Sequence, residues 1–468
     1  MNYRNTCLLT CCVFMLLGFC LPKLRAQAPT APAPPDTTAP AAPSSAASAA
    51  TMSLLVQVQV ELEAGRFAKA LTLLQAPTPN ASLAETRTLQ LNIAIIQYAW
   101  ARSLLTNSPL QALPHYQAAL AIDQMLRPTQ VASDLDSIGV AYSNLSNPNK
   151  AIDYCKQALP LYQQVGDKTG EAYALNSIGV AYSDLSKPSK AVGFYQQALT
   201  IFQQIGDKGG QASTLMNMGI AYSDLSQFSK GIGLYQQALP LYQQVGDKTG
   251  EADALMNLAI AYNDLSQPSK AIGSHQQALT IFQQVGDKGG QASALMNMGI
   301  AYSGLSQFSK AIGLYQQALT LFQQVGDRNG KARAFGSLGN GYNNLKQPGK
   351  ALGFYQQALA IFQQVGDVNG KAGALMDMGN AYSNLSNLSR AIGLYQQALA
   401  LQRQIGDRDG EARNLTSMGV AYDRLKQPAK AMGFYQQALT IFRQVGDKHG
   451  ETRTLKNMDN LRKRSMSH

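Results

Sequence analysis

Apolar residues along most of this chain recur at i, i+3, i+4 and i+7, the spacing that lays a stripe down one side of an α-helix. Between Asp167 and Gly206 this happens twice: Leu175, Ile178, Gly179, Tyr182 and Leu185 mark a first helix, and Ala191, Val192, Tyr195, Ala198, Leu199, Phe202 and Ile205 a second. Asp167 stands where its carboxylate can cap the first helix, with Glu171 in the opening turn near the positive end of the dipole. Pro188 suits the first turn of the second helix, where a missing N–H is harmless, and Gly206 suits a left-handed C-terminal cap. The stretch therefore predicts a helical hairpin. Near-copies follow without insertion or deletion, the Gly-Asp between them falling at Gly166/Asp167, Gly206/Asp207 and so on every forty residues to Gly446/Asp447. A fixed period of this length predicts a stacked repeat array. Modules that touch only their neighbours then replace the roughly three globular domains that length alone would suggest.

Eight such modules fill residues 127–446. Residues 51–126 read as degenerate terminal repeats: Leu54, Leu55, Val58 and Leu62 run at helical spacing before a turn at Gly65, and a second pair carries Trp100, the only tryptophan. Residues 447–468 read as a capping helix with a basic tail, and residues 29–50 as a Pro/Ala/Ser-rich disordered linker. Residues 1–28 have the form of a signal peptide: Arg4, an apolar run from Cys7 to Leu21, and Ala26-Gln27-Ala28 as a cleavage site. The expected location is secreted or periplasmic; left uncleaved, the same segment would anchor the chain in a membrane.

Gly179, Ala191 and Ala198 are small where two helices must approach, and they recur as Gly219, Ala271 and Ala278 or Gly299, Ala311 and Ala318. Tyr182 and Tyr195 are expected to form a buried pair beside this seam. Glycine also recurs inside the second helix, from Gly193 and Gly233 to Gly433, at a cost of about 1 kcal/mol each in helix propensity. Two explanations stand for it: close approach between layers, or an accident copied by duplication. Recent copying is supported by an eighty-residue super-period, in which KTGE at Lys168 and Lys248 alternates with KGGQ at Lys208 and Lys288.

The spacing of Leu175, Gly179, Tyr182, Ala191, Tyr195 and Ala198 resembles the tetratricopeptide repeat, in a forty-residue form similar to that of Pins-type adaptors and kinesin light chains. The resemblance implies an all-α fold, a right-handed superhelical solenoid of antiparallel helix pairs whose first helices line a concave groove for an extended peptide or partner helix. Projected onto this chain, the groove would carry Asn176, Ser183 and Asp184, then Asn217, Ser223 and Asp224, Asn257, Asn263 and Asp264, Asn297 and Ser303, Asn340 and Asn343, and Asp377, Asn380 and Ser383, with Arg333 and Arg413 as its strong cations. Asparagine both donates and accepts, so a ladder of it can read a peptide main chain without demanding sequence. Met216, Met256, Met296 and Met376 flank that ladder, either as an adaptable apolar stripe or as core between first helices.

Composition changes this picture in one respect. The formal net charge of +11 is uneven, about −1 over residues 167–326 and +10 over 327–468. A polyanion could use that asymmetry, but no aromatic residues interleave with the cations as a nucleic-acid stacking platform requires. Cys7, Cys11, Cys12 and Cys20 lie in the signal segment, leaving Cys155, which takes the place of Tyr195 in the repeat and reads as a packed thiol. The four histidines have no ligand spacing, and turns such as Gly206-Asp207-Lys208-Gly209-Gly210 join helices and lack the order of a phosphate loop. No catalytic, cofactor or metal site is expected. What remains is a non-enzymatic scaffold for an unidentified protein or peptide, or a structural element that associates with copies of itself.

Overall fold

The computed structural model describes residues 49–76 and 83–466, so the signal segment and nearly all of the linker lie outside the described residues. Every regular element among these residues is helical. The chain is an α-solenoid of antiparallel helix pairs, divided into two compact units, one ending at Ala254 and the next beginning at Leu255.

The N-terminal unit opens with helices Ala49–Glu63 and Phe67–Gln75, continues with Leu83–Leu104 and Pro109–Leu126, and then enters the regular hairpins. Val58, Leu62, Leu71, Leu74, Leu89 and Ile96 form its first core. Trp100 is stacked between Phe67, at 6.0 Å between ring centroids, and His115, at 3.9 Å. The regular hairpins follow as Val131–Asn144 with Pro148–Val165, Lys168–Asp184 with Pro188–Ile205, and Lys208–Asp224 with Phe228–Val245.

The C-terminal unit takes up the array within the helix Lys248–Asp264. Its second helices are Pro268–Val285, Phe308–Val325, Pro348–Val365, Leu388–Ile405 and Pro428–Val445, paired in turn with first helices that end with Arg408–Arg424. The helix Lys448–Met466 closes it, burying Thr454, Met458 and Leu461 against the last hairpin while the rest of its surface stays polar.

The punctuation acts as its chemistry demands. The Asp167 carboxylate accepts the Gly170 N–H at 2.9 Å, and the same cap recurs at Asp207, Asp247, Asp287, Asp327, Asp367, Asp407 and Asp447. Gly206 ends the second helix at φ 74°. First helices end less comfortably: their left-handed residue is Ser186, at φ 55°, with Ser, or Lys346 and Lys426, at the equivalent places. Its neighbour's N–H still closes the turn, Lys187 donating to the Tyr182 carbonyl at 2.9 Å.

Two close approaches hold the hairpins. Within a module, Tyr195 is 2% exposed and lies so tightly on Gly179 that a Cβ there would sit 2.5 Å from its ring. The same glycine–tyrosine seat recurs at Gly219/Tyr235, Gly299/Tyr315, Gly339/Tyr355, Gly379/Tyr395 and Gly419/Tyr435. Between modules, Phe202 at the end of a second helix covers Gly210 at the start of the next first helix, as Tyr242 covers Gly250 and Phe322 covers Gly330. The expected Tyr182/Tyr195 pair is not what forms. Tyr182 is half-buried and stacks on Phe194 at 5.3 Å, with the Lys190 ammonium 5.8 Å from its ring centroid. A lysine or arginine in the second helix's first turn stands over the equivalent tyrosine in every module.

The glycines inside the second helices have a plain answer. A Cβ at Gly193, Gly233, Gly273, Gly313, Gly353, Gly393 or Gly433 would meet nothing within 4 Å. Close approach between layers is therefore excluded, and these positions face open space.

Candidate functional site

In each unit the first helices of successive modules touch one another directly, as Val131–Asn144 touches Lys168–Asp184 and Arg328–Asn344 touches Val368–Asn384. The first-helix side is thus the tighter side of the stack, and its outward residues form the candidate face.

The asparagines expected to form one ladder occupy four registers of the repeat. Asn176 falls in the register of Met216, Met256, Met296 and Met376; Asn217, Asn257 and Asn297 lie one residue further on; Asn340 and Asn380 fall three residues beyond that; and Asn263 and Asn343 fall three further still, in the register of Ser183. In the N-terminal unit the first two registers meet, since the Asn176 Oδ1 accepts from Asn217 Nδ2 at 3.4 Å and from Thr214 Oγ1 at 3.3 Å. Ser183 lies 3.5 Å from the Tyr195 hydroxyl, and Ser223 3.3 Å from that of Tyr235. Asp184 is exposed and accepts from Ser143 at 3.2 Å, and Asp224 is exposed nearby on its own helix.

In the C-terminal unit Asn257, Asn263 and Asn297 are half-buried and Arg333 is exposed. Asn340 and Asn380 accept the hydroxyl protons of Tyr355 and Tyr395 at 2.6 and 2.8 Å, so each Oδ1 is engaged and the amide N–H groups remain as donors. Asn343 accepts from Asn384 at 2.9 Å. Burial lifts the carboxyl of Asp377 to about 7, a rise that a hydrogen bond from Asn340 only partly offsets. The methionines are core: Met296 is 4% exposed, Met376 packs on the last hairpins' core, and Met216 in the other unit accepts the Tyr242 hydroxyl at 3.7 Å.

Sequence reasoning missed that the register of Asn340 and Asn380 is aliphatic in the other modules. It reads Val140, Val180 and Ile220 in the N-terminal unit; in the C-terminal unit Ile260, Ile300 and Val420 are 43%, 45% and 36% exposed. Superposing the copies at their forty-residue offset would have shown it. Also missed was a buried acidic pair, Asp123 and Asp134, each almost wholly buried. Arg127 grips Asp123 with two hydrogen bonds of 2.8 Å, while burial, and then the charge of Asp123, lift the Asp134 carboxyl to about 8. Later modules hold Ala174, Thr214 or Ala254 at that position, so this pair belongs to the irregular N-terminal junction.

Cys155 is fully buried against Gly139, and burial, then the neighbouring Asp136, push its thiol pKa up, which makes it a poor nucleophile. Among the described residues no group of three His, Cys, Asp or Glu side chains could hold a metal, and no helix is long and apolar enough to cross a membrane. What the first-helix face offers is hydrogen-bonding amides and hydroxyls around exposed aliphatic side chains. Such a surface can hold a polypeptide by its main chain and its apolar side chains together.

Residues 130–204, 210–284, 290–364 and 371–444 match the sequence family described as the tetratricopeptide repeat. No curated protein matches the chain. Among solved structures it is similar to the apo form of RapI, with a TM-score of 0.60 at 14% identity over 78% of this chain and 99% of that one. It is similar to the apo form of the quorum sensor NprR from B. thuringiensis, with a TM-score of 0.55 at 12% identity over 77% and 100%. It is similar also to aspartyl phosphate phosphatase F from Bacillus subtilis, with a TM-score of 0.54 at 16% identity over 78% and 96%. At such identities the likeness is one of fold.

Proposed function

This chain belongs to the tetratricopeptide repeat family, and from that premise we propose that it is a non-enzymatic protein- or peptide-binding scaffold, exported from the cytoplasm, whose first-helix face is the binding surface. The observation that carries the proposal is the exposed aliphatic side chains of Ile260, Ile300 and Val420, which share one register of the first-helix face with Asn340 and Asn380. Exposing such side chains to water in an otherwise well-packed array is unfavourable, at about 25 cal/mol per Å² of apolar surface. A partner that covers them recovers that free energy, while the amides satisfy its backbone. Export is supported by Arg4, the apolar run from Cys7 to Leu21 and the Ala26-Gln27-Ala28 sequence.

Site-specific photocrosslinking in the native host tests this reading. A benzophenone side chain placed at Ile260 or Ile300 should capture a defined partner, whereas the same group at the exposed second-helix residues Gln276 or Gln316 should not. Equal capture from both faces, or capture only of a second copy of the chain, would overturn it in favour of a self-associating structural element.

A further inference from the structure

The C-terminal unit contains, on its first-helix face, a cleft of about 460 Å³ whose lining includes three arginines, Arg413, Arg424 and Arg453, and no acidic side chain. The nearby carboxylates are already committed. Asp409 pairs with Arg413, Asp423 with Arg464 at 2.6 Å, and Asp447 caps the final helix through the N–H groups of His449 and Gly450. Two cations are left without a counter-charge. Arg424 is held by neutral groups, donating to the carbonyl and hydroxyl of Ser383 at 2.6 and 2.9 Å and to Ser386 at 3.2 Å, so its guanidinium is positioned but not neutralised. Arg453 makes no ion pair among the described residues. Asn380 and Asn457 line the same cleft, and Asn380 has its acceptor occupied by Tyr395, which leaves it as a donor.

We propose that this cleft binds an acidic segment of an extended polypeptide, with Arg424 and Arg453 receiving its side-chain carboxylates and Asn380 an adjoining acceptor. This rests on the reading of the first-helix face as a peptide-binding surface and adds which peptides it selects. Charge complementarity decides the occupant: a cleft with cations from two elements and no carboxylate repels basic segments, and guanidinium groups fixed in place form strong charge-assisted hydrogen bonds to carboxylates. Nucleic acid fits less well, because the one aromatic ring lining the cleft, Tyr395, is buried and offers no face for a base to stack on. The equivalent positions in the N-terminal unit carry Asp184, Asp224 and Tyr173 or Ser213, so the selectivity belongs to this end of the array.

Fluorescence polarisation with the full chain provides the test, using a labelled short peptide of alternating glutamate and alanine and its glutamine counterpart. The glutamate peptide should bind at low salt, weaken as salt rises, and bind at least about tenfold more tightly than the glutamine peptide. R453Q and R424Q should each lose about tenfold. R453Q is the cleaner variant because Arg453 supports nothing else, and its thermal midpoint should stay at the wild-type value. K288Q, which removes the same charge from an exposed lysine elsewhere in this unit, should bind as wild type. Failure of the glutamate peptide to bind, equal affinity for both peptides, or unchanged binding by R453Q would each overturn the proposal, as would an oligodeoxythymidine that binds through the same arginines more tightly than the peptide. Crosslinking from Ile260 and Ile300 does not depend on peptide charge, so it separates a failure of this selectivity from a failure of the face itself.

Discussion

Gly179 and Tyr195 show how strictly a residue can be tied to its partner, and one module shows the tie being renegotiated. Where other copies have glycine under tyrosine, the module beginning at Asp247 has Ala259 and His275. The added methyl would strike a tyrosine, and the smaller imidazole makes room for it. The exchange leaves a defect: His275 is fully buried, its Nε2 has no partner, and Nδ1 meets only the Met256 sulfur at 3.3 Å. Burial lowers its pKa to about 4 from an ordinary 6.5. Between those values the unfolded chain binds a proton that the folded chain refuses, so stability is highest above pH 6.5 and falls as pH drops toward 4. H275Y alone should destabilise by about 1–3 kcal/mol through overpacking, and A259G alone by about 1 kcal/mol through propensity and lost contact. Together they should be at least neutral, and the double variant should lose part of the decline in thermal midpoint between pH 7 and pH 5. Additive effects of the two substitutions in a double-mutant cycle would refute the coupling.

Among the elements, the helices carry glycine where none is required and lack it where it would help. Gly193 and its counterparts sit mid-helix facing open space, whereas Ser186 and its counterparts occupy a left-handed turn that costs an L-residue roughly 1–2 kcal/mol. G193A, G313A and G353A should each raise stability by about 1 kcal/mol, and S186G by a similar amount, measured as shifts in the denaturation midpoint at constant m-value. Loss of stability in the alanine variants would mean that these positions are covered in the folded protein after all. The helices, their caps and the small-residue seam were legible from the sequence because each depends on contacts within forty residues that the period repeats. The binding face was only partly legible. Asparagine is conspicuous by its chemistry, so Asn176 and Asn217 were read as one ladder although they lie in different registers. Ile260 and Ile300 were passed over because an aliphatic residue at helical spacing reads as core until neighbouring helices are placed. The Arg424 and Arg453 cleft could not be seen at all, since it depends on Arg464 engaging Asp423 and on Ser383 orienting Arg424 from the preceding module.

At the scale of the whole molecule, hairpins that pack on their neighbours within each unit mean that stability is assembled there from nearest-neighbour terms. The helix Lys448–Met466 covers Ala431, Tyr435 and Leu439, the outer surface of the last hairpin. A chain ending at Gly446 should therefore lose amide-exchange protection in residues 407–446 while keeping it in residues 287–326. Uniform loss along the unit would instead indicate a single cooperative block. The stack has an optical consequence as well. Trp100, the one indole in a chain with 21 tyrosines, is sandwiched between Phe67 and His115 near the N-terminal end. Emission excited selectively from that indole reports the melting of a single place, and the adjacent imidazole makes it sensitive to acid. Circular dichroism averages every hairpin. The two signals will superimpose only if the array melts as one, so the gap between their midpoints measures how far cooperativity extends along the chain.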